Sequence, residues 1–410
     1  MINFIWPLMF LIAVLAACFR LIFFQDTEIF GQLTAAIFDN AKVGVDISIG
    51  LIGILCFWLG ILELIEKNGL AQKISNKLYP LFKVIMKDVP KDSPAISSVV
   101  LNMAANFLGL DNAATPIGIR AMEQLQEHNR KKDEASDAQI LFMVINASSV
   151  CFIPITIFMY RKQMGAMFPT DVFIPILLAT SISTLVGFLG VAIKQKIDLS
   201  NAILKKVLFG FLFLIIAICG IFCSISYDNR LKISSLMGSI VLILAIGYVI
   251  YLSLKSGLKS YDIFINGAKN GVDVAIKIIP YLVSMLIAIG VFRASGVLDI
   301  ILEGFREICN LFKLDNKFVD ALPVAFMKPL SGSSARAMMI ETMNTFGADS
   351  FQGFMASVVQ GSTETTFYVL TVYFGAINIA NTRYALKYAL WSDFAGILSA
   401  IFVSYLFYGN

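Results

Sequence analysis

The sequence predicts an all-α integral membrane protein with two inverted repeats, each combining spanning helices with a re-entrant hairpin and broken helices. Three observations carry that prediction. The chain is 58% hydrophobic and only 15% charged, with a mean hydropathy of +0.79. Soluble domains carry about 25% charged residues, so lipid is part of this chain's solvent. Secondly, Ala41-Lys42-Val43-Gly44-Val45-Asp46 reads like Ala268-Lys269-Asn270-Gly271-Val272-Asp273, a shift of 227 residues (41 to 268). The match runs without a gap to Asn68-Gly69-Leu70 against Ser295-Gly296-Val297. Thirdly, each half interrupts its apolar sequence with polar segments at corresponding points. An apolar chain with a duplicated half is the signature of membrane transporters and channels, with the site where the halves meet.

A spanning helix needs roughly 20 apolar residues. Runs of that kind predict helices near 4–23, 43–64, 139–160, 171–193, 204–224, 236–254, 271–292 and 384–407. Leu15-Ala16-Ala17-Cys18 in the first run resembles a lipoprotein cleavage box. A secretory signal needs a basic n-region, and Met1 to Pro7 holds no Lys or Arg, so the first helix is expected to be retained.

Between spans, 98–125 is too interrupted to cross. Short apolar pieces flank Gly109-Leu110-Asp111-Asn112, and Pro116 suits the first turn of a second helix. This predicts a re-entrant hairpin, since non-helical backbone at membrane depth must be buried in protein or line a water-filled cavity. Its counterpart is Leu322-Pro323 to Ala335-Arg336, with a Ser331-Gly332-Ser333-Ser334 tip of hydroxyls and amides. Lys328 and Arg336 flank that tip and need partners, with Glu341, Asp349 or Asp320 as candidates.

After each hairpin comes a further polar cluster: Asn146-Ala147-Ser148-Ser149, then Gln360-Gly361-Ser362-Thr363-Glu364. Glu364 is an acid in apolar helix with no Lys or Arg within a turn. Intramembrane acids mark ion or proton paths; the alternative is a neutral Glu364 bonded to Ser and Thr neighbours. The expected site is Asn102, Asn106, Asp111, Asn112, Asn146, Ser148, Ser331, Ser333, Ser334, Gln360, Ser362, Thr363 and Glu364, gathered around one midplane cavity.

Lys and Arg cluster at 67–91, 120–132, 194–206 and 255–277, with Arg383 and Lys387 later. The positive-inside rule puts these on the cytoplasmic face, with a cytoplasmic N-terminus and an external C-terminus. The two halves then run oppositely, the helix at 204–224 supplying the odd crossing; a parallel repeat is the alternative. The segment 72–87 alternates lysines with Leu78, Leu81, Phe82 and Val84, as expected of a helix at anionic headgroups.

Several functions are excluded. The six cysteines form no CxxC pair, and Cys219 and Cys223 read as packing inside an apolar helix rather than as a zinc site. His128 is the sole histidine, in a polar loop. Ser331-Gly332-Ser333 lacks the strand and distant His of a hydrolase elbow. No phosphate-binding loop motif occurs. Neither enzyme activity, cofactor, metal nor nucleic acid is expected.

The stretch Asn102-Met103-Ala104-Ala105-Asn106-Phe107-Leu108-Gly109-Leu110-Asp111-Asn112-Ala113-Ala114-Thr115-Pro116 strongly resembles the spore maturation protein A family. Ile279-Pro280-Tyr281, Lys328-Pro329-Leu330-Ser331-Gly332-Ser333 and Gln360 to Tyr368 resemble the spore maturation protein B family. The chain thus looks like a fusion, with 1–200 and 236–410 as the two halves and 201–235 linking them. Both families belong to the nucleoside-recognition, or Gate, superfamily. The resemblance implies an inner-membrane protein named for spore maturation and core dehydration. Two departures stand out: Glu364 where the family has Asp, and Asp111 where Gly is usual.

The expected function is translocation of a small polar or cationic solute, nucleoside-like or ion-coupled. Soft ligands for ferrous iron are missing, with only Cys151 near the site. A membrane scaffold for envelope or peptidoglycan-modifying partners is the rival reading, and lipid handling a third. The expected partners are the bilayer and the solute or ion, with homo-oligomer formation left open.

Overall fold

The computed structural model describes residues 2–90, 93–107, 111–148 and 150–408. Two sets of eight helices are joined by α9 (Ala202–Ser224). The first set opens with α1 (Ile2–Phe24), the long α2 (Ile29–Lys67) and the amphipathic α3 (Leu70–Ile85). A hairpin follows, α4 (Pro94–Phe107) and α5 (Asp111–Glu127), then the short α6 (Asp137–Ser148) and α7 (Ile155–Gln163), and finally α8 (Phe173–Lys194). The second set repeats this order. It runs α10 (Tyr227–Lys255), long α11 (Ser260–Ala294) and amphipathic α12 (Val297–Leu311), then the hairpin α13 (Leu322–Met327) and α14 (Gly332–Phe346). Short α15 (Phe351–Gly361) and α16 (Thr366–Ala376) precede α17 (Ala385–Tyr408).

Local chemistry sets the repeated joints. Gly69 (φ +70°) and Gly296 (φ +84°) each begin an amphipathic helix in the left-handed region, which glycine adopts without a Cβ penalty. That explains why the repeat stays in register through Asn68-Gly69-Leu70 and Ser295-Gly296-Val297. In α3 the apolar side is turned inward through Phe82 and Ile85, while Lys73 and Lys77 are exposed.

The two long helices establish the relation between the halves. A Cβ on Gly44 would stand 2.9 Å from Val283 Cγ2, and one on Gly271 would stand 2.5 Å from Cys56 Cα. Positions 44 and 271, and 56 and 283, are each one repeat apart, so a single contact is made twice. Lower residues of α2 meet higher residues of α11, so the helices are antiparallel. An approximate two-fold axis therefore relates the sets, and the repeat is inverted. α8 and α17 pack in the same sense, with Gly187 against Ser392 and Gly190 against Tyr388.

Two expectations are corrected. The span predicted at 139–160 is broken between Ser148 and Ile155. Pro154 lacks an amide hydrogen to continue the ladder, and the Phe152 amide bonds to Phe107 O instead of to its own helix. Among the described residues, seven helices are long and apolar enough to cross a membrane: α1, α2, α8, α9, α10, α11 and α17. Pro116 lies five residues inside α5 rather than in its first turn, because the helix already begins at Asp111.

Each end of the molecule is tied by polar contacts between the halves. At one, Arg383 Nη1 contacts Asp137 Oδ1 (2.8 Å), and the Tyr384 hydroxyl donates to the same oxygen (2.8 Å). At the other, the buried Arg161 meets Asp171 (2.9 Å) and Asp349 (3.6 Å).

Candidate substrate site

The breaks in α6–α7 and α15–α16 face the hairpins in the same way in both halves. Phe152 N donates to Phe107 O (3.3 Å), and Phe367 N donates to Pro329 O (3.0 Å). Each bond fastens the end of a hairpin's first arm to the break beside it. Gly332 is needed there, since a Cβ would stand 2.7 Å from Thr365 Oγ1. The halves touch at the breaks too, where Glu364 N donates to Ala147 O (2.8 Å).

A cavity of about 100 Å³, open on one side, lies between the first half's break and the second half's hairpin. Ile153, Pro154, Ile155 and Ile157 form its apolar wall. Lys328, Gly332, Arg336, Gln360, Thr363 and Glu364 form the polar wall. Lys328 is buried, Arg336 half-buried and Glu364 exposed. The Arg336 guanidinium lies over the Tyr160 ring, 5.5 Å from its centroid. Gln360 Oε1 is buried and makes no hydrogen bond within the described residues, while the buried Thr363 hydroxyl faces Asp393.

The first-half residues form a separate, closed network. Asn106 Nδ2 donates to Asn146 Oδ1 (2.7 Å), and Asn102 Nδ2 donates to Ala114 O (2.6 Å). The Tyr373 hydroxyl donates to Asn146 Oδ1 (3.2 Å) and accepts from Asn102 Nδ2 (3.3 Å). Gly118 makes room for it, because a Cβ there would stand 2.2 Å from that hydroxyl. Ser148 Oγ donates to Ile145 O (3.0 Å). Asn102, Asn106 and Asn146 thus come together, and neither they nor Ser148 line the cavity. Gly109, Leu110 and Ser149, and the side chains of Asp111 and Asn112, lie outside the described residues.

The serines of the second tip act as a helix cap. Ser331 Oγ accepts from Ser334 N (3.3 Å) and Ser334 Oγ (2.8 Å), with the Ser333 hydroxyl 3.2 Å away. Ser362 Oγ donates to Val359 O (2.8 Å). The acids expected to pair with Lys328 and Arg336 are taken by other arginines: Glu341 by Arg293 (2.7 Å), Asp320 by Arg306 (2.6 Å) and Asp349 by Arg161. Those arginines lie in α7, α11 and α12, closer to the acids than the tip is.

Sequence reasoning missed Asp393, the sole acid in α17. It is 1% exposed, with the Thr366 and Thr363 hydroxyls, Lys328 and Glu364 around its carboxylate. An acid in apolar sequence with no Lys or Arg within a turn is the signal that singled out Glu364, and it applied equally here.

Comparison with known proteins bears on this arrangement. A family model described as nucleoside recognition, Gate, matches residues 48–167 and 275–380. The chain belongs to the Gate family. The two Gate matches begin 227 residues apart (48 and 275), which is the spacing of the internal repeat, and α9 falls between them. Spore maturation protein B of Bacillus subtilis (strain 168) is 40% identical over 168 residues, 41% of this chain and 92% of the relative. Spore maturation protein A of the same organism is 37% identical over 183 residues, 45% of this chain and 90% of the relative. Each relative is thus matched nearly whole by less than half of this Gate protein, as expected of two Gate proteins joined in one chain. No solved structure matches.

Proposed function

We propose that this Gate protein translocates a small polar solute through the cavity between the first half's break and the second half's hairpin. The observation that carries the reading is the buried, unbonded oxygen of Gln360 in its wall. Buried polar groups are ordinarily hydrogen-bonded, and a solute in the cavity would satisfy it. Glu364 stands at the same wall as the ion- or proton-responsive group. Glu364→Gln keeps the shape and removes the charge, so it should abolish coupled uptake into proteoliposomes while leaving the unfolding midpoint within its normal scatter. Unchanged uptake would sink that role.

The orientation proposed is a bacterial inner-membrane protein with a cytoplasmic N-terminus and an external C-terminus. The exposed lysines of α3 support it, because anionic lipid favours them on the cytoplasmic face. A cysteine at Lys77 should therefore react with an impermeant reagent only from the cytoplasmic side; labelling from outside would reverse the topology.

Two further readings have specific support. Lys42 with Asp46, and Lys269 with Asp273, are exposed on the middle turns of the two longest helices. Such charges need polar company within a bilayer, and a second copy in a homo-oligomer offers the complementary set. Lipid handling is favoured by an apolar groove lined by Leu81, Phe82, Met103, Phe188, Leu204 and Phe211, beside the basic α3.

A further inference from the structure

We propose that the apolar groove beside α3 holds an anionic phospholipid, with an acyl chain between α3 and α9 and its phosphate at the lysines where α3, α8 and α9 meet. This deepens the lipid-handling reading, rests on the same groove, and is independent of translocation of a polar solute. In α3, Leu78, Leu81, Phe82 and Ile85 recur at i, i+3, i+4 and i+7 and line the groove. In α9, Leu204, Val207, Leu208 and Phe211 do the same. Stripes of this kind ordinarily close on a neighbouring element. Here both border a groove of about 280 Å³ that is open on one side. At roughly 30 Å³ for a water-sized group, it has room for about nine methylenes of one acyl chain. The stripe on α9 carries the groove about 10 Å along that helix, at about 1.5 Å per residue.

The interior suits hydrocarbon. Its two polar residues are turned to protein partners: Asn106 Nδ2 donates to Asn146 Oδ1 (2.7 Å), and Thr184 Oγ1 donates to Ser148 O (3.2 Å). The other lining residues are apolar. The mouth is the opposite. Lys87 follows the last turn of α3, and its Nζ donates to Lys196 O just past α8 (3.0 Å), which brings those two helix ends together. Residues 86–88 and 194–206 carry exposed Lys87, Lys194, Lys196, Lys205 and Lys206 against two acids, Asp88 and Asp198. Lys205 and Lys206 sit in the first turn of α9, between Leu204 and Val207 of the groove wall. Cations at a helix N-terminus add to its positive end, so an anion there offsets both. Lipid tails are as apolar as the groove, so selection among lipids falls to the headgroup, where each lysine favours an anion. The lysine end also lies on the face proposed as cytoplasmic, the leaflet that carries anionic lipid.

The test takes the full chain, purified in mild detergent with equal amounts of phosphatidylglycerol and phosphatidylcholine of identical acyl chains. Native mass spectrometry then counts the lipid that stays bound. Phosphatidylglycerol should be retained in preference to phosphatidylcholine, by roughly ten- to thirtyfold for the two lysines nearest the groove wall. Lys205→Gln together with Lys206→Gln should bring that preference to near parity. Leu208→Trp fills the groove and should remove retention at an unchanged unfolding midpoint, whereas Leu208→Ala widens it and should keep the lipid. If Leu208→Trp lowers the midpoint, the lysine pair decides alone. Equal retention of the two lipids by the parent, or retention of neither, would overturn the inference. So would a stable Leu208→Trp variant that keeps as much lipid as the parent. Scrambling of a fluorescent phospholipid in proteoliposomes separates this inference from the reading it deepens. Selective retention without scrambling keeps the inference and sinks lipid handling, and scrambling without selective retention does the reverse.

Discussion

Replacing Arg161 with methionine is expected to destabilise the protein by about 3–5 kcal/mol, the usual cost of removing one partner from a buried ion pair. Arg161 is 0% exposed, near the end of a nine-residue helix in the first half. Its guanidinium donates to Asp171 (3.0 Å), to Ala348 O (2.9 Å) and to Ser357 Oγ (3.3 Å). The last two belong to the second half, so one side chain ties the halves together at this end. Methionine fills similar space but leaves Asp171 buried without its cation. A lowered unfolding midpoint in detergent is the expected readout. A variant as stable as the parent would show that the halves are held together elsewhere.

The loss should also depend on pH. Asp171 precedes the spanning helix α8, and burial pushes its carboxyl up to about 6 although Arg161 opposes the shift. A folded-state value above the unfolded one means that the folded state binds more protons through this interval. The group's contribution to stability is therefore fully present at pH below about 4 and is lost as pH rises from there through about 6. Without Arg161 the carboxyl is pushed higher still. The gap between variant and parent should narrow as pH falls from 7 toward 4, and a gap that widens would assign the charge state wrongly.

The duplicated architecture was legible because its signals are local. Apolar run length, Gly69 and Gly296 at the same joint, and polar breaks at corresponding places all survive in one sequence. The continuous helix at 139–160 was misread because hydropathy averages over a window. It does not register Pro154 and a few polar residues as a break when Ile, Phe and Met lie on both sides. The site was legible in residue type but not in grouping. Asn102, Asn106 and Asn146 read like ligand groups, yet they satisfy one another and Tyr373, whose hydroxyl arrives from the other half. That pairing is long-range, and no spacing rule encodes it. Lys328 and Arg336 were read as charges needing acids; in three dimensions both border the cavity, and the acid near Lys328 is Asp393 rather than Glu341, Asp349 or Asp320.

Gly271→Ala is the second substitution with a large expected effect, and it bears directly on the inverted repeat. The new methyl would stand 2.5 Å from both Cys56 Cα and Cys56 N. Carbon atoms pack at about 3.5–4.0 Å, and backbone atoms have no rotamer by which to yield, so α2 and α11 must part. Overpacking of this kind costs about 1–3 kcal/mol. Gly44→Ala makes the symmetry-related clash, against Val283 Cγ2 at 2.9 Å and Cα at 3.0 Å. There the nearer atom belongs to a side chain that can move, so the loss should have the same sign and be smaller. Gly53→Ala is the control on the same helix, with nothing within 4 Å of its added methyl. It should be neutral or stabilising by up to about 1 kcal/mol, through lower chain entropy in the unfolded state. The expected order of unfolding midpoints is Gly53→Ala highest, Gly44→Ala next and Gly271→Ala lowest. A Gly44→Ala variant as stable as Gly53→Ala would mean that the two long helices do not share one contact across a two-fold axis. The repeated Gly44 and Gly271 would then mark common descent without a shared packing role.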